Sequence, residues 1–536
     1  MTRAFALSVT LCFFILQSGA QEAIQELSKK AGKGFISNTA SSDGVYTITY
    51  KIPGDKKKNE IFYENYQFDN NIKFIKSEEV SEPKEKKEDK PDKTVSGFDA
   101  SVGGCGGFDL LSMKLRFSKF SATKSWDYKK QRYFITKILT SETIKPRNEN
   151  GKYYGYAAFT GTDEKLFVVG ATESDVHKKG RDFFILGVNA DLDITSKPVD
   201  ISGSQSLVFS SQLDNGDVVL VFAPKKGEPD LSAYTYLRYG TTGDVKNKVT
   251  FKSPSNNLLI VDAQEEGGSV FFCATSTKSK DSYEEVFDEY AGTISNPCYK
   301  EGENKQDFYW AKKADEKMES FHLLKFTGSQ LDFATAAPVS EFKSKFKTSP
   351  QDKGADAYKG RRFLVSNFRI TPSGEYLVAG QLTGKTNLGL GNPVKTYEDI
   401  VCFHFDKAGQ LKAQYGVEKM NTDKKSEIFP ITQMFVPSKD GKSLYWVIME
   451  VKGFKGYDGF VAAYVGNATY YGRYFPRIAK LDVEGTSVSS FSVLGDEKFY
   501  TSKSFLPIFN TAENSLVFIG SDEDYKKLWL SKYVFQ

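Results

Sequence analysis

The residue types that can do chemistry are thinly and unevenly spread along this chain. Carboxylates stand two apart at Asp191/Asp193 and at Asp522/Asp524, the spacing at which paired acids could share a proton or a cation. Each pair, however, sits in a turn beside an apolar run, where Asp is expected for backbone reasons. Neither extends into the alternating Asp/Asn, Gly and distant Glu of a calcium loop. The three histidines, His177, His322 and His404, are far apart, and His404 stands between Phe403 and Phe405, reading as a packed or channel-facing residue. No Gly-x-Ser-x-Gly elbow announces a nucleophile. The glycines at 103, 104, 106 and 107 lack the Gly-Lys-Ser/Thr or dinucleotide context of a phosphate cradle, so they read as a connector. No catalytic residue, cofactor site or metal site is expected from these patterns.

The remaining chemistry-bearing side chains are aromatic and lie in two long insertions. Residues 278–319 carry Tyr290, Tyr309 and Trp310, and residues 452–474 carry Tyr457, Tyr470 and Tyr471. Aromatic residues interleaved with charges on a loop can form a surface for a glycan or a peptide, or simply anchor the loop on its own sheet. Beyond Cys12 the cysteines are Cys105, Cys273, Cys298 and Cys402. An even number permits two bridges in an oxidising compartment. Cys273 and Cys298 are the candidate disulfide, with a buried free thiol at Cys273 as the other reading. A zinc site is disfavoured because no two cysteines are close in sequence.

The elements that must position these residues are β-strands. Of 536 residues 14% are aromatic, with 43 Phe and 29 Tyr, and helical apolar spacing is scarce. A polar turn followed by a β-run recurs with first run positions Val45, Leu166, Val218, Val270, Leu377, Leu444 and Leu516, the second, third and fourth of these being 52 residues apart. After each comes a second β-run closing on another turn, as in 183–191, 234–243 and 321–329. One unit is thus a sheet of about four strands, with Gly and Asp supplying the turns. Such a sheet cannot bury both faces alone, and radial stacking of several sheets solves that.

The phrases Asp440-Gly441-Lys442-Ser443-Leu444-Tyr445 and Pro372-Ser373-Gly374-Glu375-Tyr376-Leu377 resemble the turn-strand phrases of TolB-type and WD-type β-propellers. The 380–384, 399–401 and 405–409 segments resemble the repeats of secreted bacterial propellers, of Bacteroidetes-like style. The resemblance covers roughly residues 35–536 and implies a fold, not an activity. The expectation is an all-β chain forming a single β-propeller of seven or eight four-stranded blades, with N- and C-terminal strands closing the ring. The 110–146 region is either an eighth blade or an insertion, and a strand at 35–39 is expected to complete the last blade.

Export is expected from the first 20 residues. Arg3 precedes an apolar run from Ala4 to Leu16, and Ser18-Gly19-Ala20 offers a cleavage site before Gln21. The run is shorter than a bilayer span, and no later stretch is apolar enough to form one. Residues 21–34 form a short N-terminal segment, with a short helix expected over 23–31, ahead of the propeller at 35–536. Residues 76–94 are dense in charge and read as a flexible surface loop. With 72 basic against 68 acidic side chains, nothing favours nucleic acid as a partner. The expected role is an exported, non-enzymatic binding or scaffolding module, periplasmic, on the cell surface or extracellular, that meets an unidentified protein or glycan through its loop face. The alternative is a glycan-active hydrolase or lyase with a site at the propeller channel mouth.

Overall fold

A computed structural model of the chain describes residues 20–536 except 55–59, 84–92, 104–113, 128–131, 150, 163–165, 173–181, 190, 288–316, 362, 387–393, 421–425, 456–460, 466–467 and 502–506. The chain is all-β. Every one of the seven repeated phrases opens the second strand of an antiparallel unit: Val45–Ile52, Leu166–Thr172, Val218–Pro224, Ser269–Thr277, Tyr376–Thr386, Ser443–Lys455 and Ser515–Asp522. The turn before the strand does the local work. At 371–375 the Gly374 amide donates to the Thr371 carbonyl at 2.8 Å, with Gly374 at φ 81° in the left-handed region that glycine reaches without strain.

The strands assemble into six hydrogen-bonded sheets rather than a set of equal blades. Two are four-stranded, over 35–83 and 205–252, and two are five-stranded, over 259–338 and 346–417. The 93–198 sheet has eight strands because Lys93–Gly103, Lys114–Asp127 and Arg132–Ile144 join the 147–198 unit through the single pair Tyr154↔Lys114. The region from 110 to 146 is therefore an extension of one unit. An eleven-stranded sheet arises in the same way, where Tyr474↔Thr501 bridges the 432–488 unit to the last one.

Consecutive units pack face to face. One apolar cluster joins 159–199 to 207–239, a second runs through the 208–261, 270–337 and 363–411 strands, and a third joins 377–417 to 429–488. Two more carry 434–499 to 516–535, and 517–530 to 31–72. Strands inside this stack are covered on both faces, so Val218–Pro224 and Ser269–Thr277 are buried at every residue. Val45–Ile52 still alternates between buried and half-buried, and among the described residues no apolar cluster joins the 35–83 sheet to the 147–198 unit.

The N-terminal segment departs from expectation. Residues Ala20–Glu26 form a strand, not part of a helix, and pair antiparallel with Lys527–Val534, from Ala20↔Tyr533 to Glu26↔Lys527. The chain's two ends therefore meet in one sheet, but through residues 20–26. The expected closing strand near 35–39 instead begins Phe35–Ser42, the first strand of its own sheet. Only one helical turn, Ala31–Lys33, lies between them. The charged run departs over 76–83, its residues 84–92 lying outside the described ones: Phe74–Pro83 is an edge strand paired along its length with Glu60–Phe68, with nine of its ten residues exposed. Backbone pairing holds it, and its Lys and Glu side chains protect an open sheet edge. The 452–474 insertion is likewise a hairpin of long strands, Ser443–Lys455, Val461–Val465 and Ala468–Asp482.

Five of the seven first strands share one irregularity. A one-residue β-bulge falls between Ile36 and Asn38, Gly155 and Ala157, Leu207 and Phe209, Ile260 and Asp262, and Val365 and Asn367. A bulge tightens the local twist, and in the 363–417 sheet it brings backbone very close to the second strand. A Cβ on Gly380 would lie 1.9 Å from the Leu364 carbonyl oxygen, although Gly380 itself has no left-handed φ. Gly380→Ala is expected to lower stability by about 2 kcal/mol or more through this clash. Urea denaturation checks it; an unchanged midpoint would show that the bulge yields freely.

Candidate functional site

In an up-and-down sheet the first-to-second and third-to-fourth turns share one end, and all other connections share the opposite end. Here the first set is short, as in 43–44, 213–217, 328–329 and 406–410. The second set includes the long connections 278–317, 335–362 and 418–431. Neighbouring units keep the same sense. Turn meets turn where Lys412 Nζ donates to the Val483 carbonyl at 3.0 Å, and loop meets loop where Arg477 Nη1 donates to the Glu418 carbonyl at 3.0 Å. The molecule thus has a turn end and a loop end.

At the loop end, between the 346–417 and 432–488 units, five ionisable side chains converge. Arg477, opposite Ile448 in its strand, holds Glu450 Oε2 at 3.0 Å through Nη1 and Asp352 Oδ1 at 3.0 Å through Nη2. All three are less than a tenth exposed. Asp352 reaches the site because the 349–358 connection folds in, with Ser349 Oγ donating to its carboxylate. Gln351 Oε1 accepts the Phe491 amide at 2.9 Å, and Phe491 lies under the guanidinium at 4.9 Å. Lys419, also buried, donates to the Tyr397 carbonyl at 3.1 Å. Burial raises the Glu450 carboxyl above the usual range against the pull of Arg477, and burial lowers Lys419.

Asp399 is the member of this group with a partly exposed side chain. It stands in an irregularity of the strand Val394–Phe405: Gln381 pairs with Ile400 and Thr383 with Tyr397, so Glu398 and Asp399 together oppose Leu382. A bulge of this kind re-aims a side chain. Burial raises the Asp399 carboxyl, backbone amides of Lys419 and Asp356 act in the opposite sense, and the nearby Glu418 and Asp356 charges raise it further. A carboxyl with a raised pKa at the edge of solvent can hold a proton and give it up, the property of a general acid.

The turn end holds a second, sealed cluster. His404 is fully buried, with Nε2 2.9 Å from Glu375 Oε2 and Nδ1 3.1 Å from the Tyr415 hydroxyl. Lys412 donates to Glu375 Oε1 at 2.8 Å. His322 is buried too, between Ser276 Oγ and the Thr335 carbonyl, each at 2.8 Å. Both imidazoles belong to packed strands and face no solvent.

Most residues singled out in the sequence lie elsewhere. Tyr290, Tyr309, Trp310 and Tyr457 fall outside the described residues, as does Cys298. Cys273 is a fully buried free thiol on its strand, the reading set beside the bridge in the sequence, and its expected partner Cys298 lies outside the described residues. Tyr470 and Tyr471 stand opposite Ala463 and Ala462 in the hairpin that extends the loop end. From the same insertions, Tyr283, Phe287 and Tyr474 are buried, the anchoring alternative for these three aromatics. Arg477, Glu450, Asp352, Lys419 and Asp399 were not anticipated. The available signal was a charge inside an apolar run, as in Trp446-Val447-Ile448-Met449-Glu450-Val451 and Phe475-Pro476-Arg477-Ile478. Among the described residues no group of acidic, His or Cys side chains is arranged to hold a metal ion, and no helix is long and apolar enough to cross a membrane.

No protein-family model matches the chain, and no curated protein matches it in sequence. Solved structures with some similarity include the GH93 α-L-arabinofuranosidase of Fusarium graminearum, at 12% identity, with 73% of this chain and 96% of that chain covered and a TM-score of 0.25. A PL25 ulvan lyase is 9% identical over 93% of this chain and 91% of its own, with a TM-score of 0.31. The lignostilbene dioxygenase of Pseudomonas brassicacearum is 8% identical over 80% and 84%, with a TM-score of 0.34. Superpositions this loose assign neither a topology nor a residue.

Two outcomes follow from the buried charges. Replacing Arg477 with Leu strands Glu450 and Asp352 without a cation, and is expected to cost about 3–5 kcal/mol of stability; a shift below about 1 kcal/mol on denaturation would mean that water reaches the site. His322 is pushed down to about 4 by burial, and His404 is also lowered, first by burial. The unfolded chain therefore takes up protons near pH 6.5 that the folded chain refuses. Stability is full above that pH and falls as pH drops toward 4, by about 3 kcal/mol for His322 alone. His322→Gln should flatten this slope in pH-dependent unfolding curves; an identical slope would remove His322 as its cause.

Proposed function

We propose that this chain is an exported carbohydrate-active protein whose loop end takes up a glycan polymer and cleaves it by acid-base chemistry, with Asp399 as the general acid. The observation that carries the reading is the placement of Asp399: a partly exposed carboxyl with a raised pKa, held in a strand irregularity at the end of the molecule that bears the long connections. The Arg477–Glu450–Asp352 network behind it fixes the 349–358 connection whose Asp356 amide reaches Asp399. Glycan cleavage requires a proton for the leaving oxygen, or removal of one beside a uronate, and a carboxyl with a raised pKa serves either.

The same proposal includes a propeller of seven units, in which the 35–83 and 147–198 units form the junction that no apolar cluster among the described residues spans. Its support is the seven-fold repeat, the run of face-to-face packing from 147 to 535 and back to 31–72, and the pairing of the N-terminal strand with the C-terminal one. Export is supported by the sequence of the first 20 residues.

A purely binding role is the second reading, favoured by the closure of Glu450, Arg477 and Asp352 from solvent. One experiment separates the two. The exported chain is incubated with neutral and uronate-containing polysaccharides, and new reducing or unsaturated ends are counted. The expected result is cleavage of at least one polymer, reduced roughly 100-fold in Asp399→Asn. Polymer retained by the protein without any new ends would replace catalysis with binding, and neither retention nor cleavage would overturn both.

A further inference from the structure

We propose a second ligand site at the turn end: a cavity of about 300 Å³ between the 147–198 and 205–252 units that binds a single neutral sugar ring. Its walls include Phe167, Asn189, Asp193, Lys197 and Thr242. It adjoins a narrower apolar crevice floored by Phe159, Val218 and Tyr239, so the cavity has an apolar base and a polar rim. It lies at the opposite end from Asp399 and does not depend on catalysis there.

Phe167 is placed with unusual care. A Cβ on Gly161 would lie 2.3 Å from its ring, one on Gly243 2.4 Å, and one on Gly187 3.1 Å from the ring and 2.7 Å from Thr195 Oγ1. Gly243 has a conformational reason to be glycine, with φ at 79°, but Gly161 and Gly187 do not have left-handed φ. Gly187 lies inside the strand Phe183–Val188, where glycine weakens pairing and marks close approach of another group. These glycines make room for an aromatic ring at the cavity wall, and the face of such a ring, negative in its quadrupole, attracts the C–H face of a sugar.

The rim supplies directed polar groups. Asn189 Oδ1 accepts the backbone amides of Asp191 and Asp193 at 3.0 and 2.8 Å, and its Nδ2 donates to Asp193 Oδ2 at 3.0 Å. The carboxylate is thereby held by one oxygen, and Asp193 Oδ1 has no partner among the described residues. Lys197 Nζ donates to Asp244 Oδ1 at 2.8 Å and has two N–H groups left. The rim thus offers an acceptor and a donor, the two kinds of partner that sugar hydroxyls take. Asp193 and Asp244 disfavour an anionic ligand and Lys197 a cationic one, which leaves a neutral ring. The volume is at the lower end of ligand pockets, near 300 Å³, and admits one ring rather than a chain.

The test is saturation-transfer NMR on the full exported chain with glucose, galactose, mannose, xylose, arabinose, fucose and N-acetylglucosamine. Transfer to at least one is expected, with a Kd of about 1 mM. Asp193→Ala, an exposed side chain, and Thr242→Trp, which fills the mouth, should each weaken it at least roughly 10-fold, the latter figure being about 1.4 kcal/mol. Both variants should melt like the parent and keep any polymer cleavage, whereas Asp399→Asn should keep sugar binding. No transfer to any sugar, or transfer unchanged in both cavity variants, overturns the site.

Discussion

A four-stranded antiparallel sheet has two apolar faces and covers neither by itself. That constraint shapes the whole molecule. Second strands such as Val218–Pro224 and Ser269–Thr277 are buried along their whole length, and they can be buried only by the faces of the units before and after them. Stability is therefore shared along the stack. The aromatic content reflects the same need, since Tyr236 meets two rings of the adjoining unit, Phe272 edge to face at 5.6 Å and Phe326 tilted at 4.6 Å.

Face-to-face packing also separates the work of the two ends. Short turns with left-handed Gly or Asp residues leave little chain to vary, and they lock unit to unit through contacts such as Lys412 to the Val483 carbonyl. The connections at the other end do not have to keep strands in register, so length and charge accumulate there. Acidic and basic side chains from three separate stretches, 349–358, 399–419 and 450–477, meet at that end around one guanidinium. Two cations face two carboxyls, each residue less than a tenth exposed. This gives a defined position to a connection that would otherwise have none, and the neighbouring Asp399 inherits that order.

The repeat was legible because hydrophobic runs and turn residues are local properties. Val45, Leu166, Val218, Val270, Leu377, Leu444 and Leu516 each lie at the first or second position of a second strand. Other features failed for an equally physical reason. Ala20–Glu26 has no apolar alternation strong enough to name it a strand, and it is one only because Lys527–Val534 presents an open edge. The charged run 74–83 gains its structure from backbone pairing alone, to which side-chain composition is blind. The aromatic insertions drew attention through composition, yet Tyr283, Phe287 and Tyr474 are simply buried.

The all-β class and the number and phase of the repeated turn-strand phrases were readable along the chain, since they follow from residues a few positions apart. Which strand meets the C-terminal one, how the units fuse into sheets of unequal size, and where charge collects depend on packing between distant segments. Asp352, Asp399, Lys419, Glu450 and Arg477 are ordinary residues in five different contexts along the chain. The contacts of all five, and the pKa shifts of Asp399, Lys419 and Glu450, arise from burial, and burial is a property of the packed units and not of any segment.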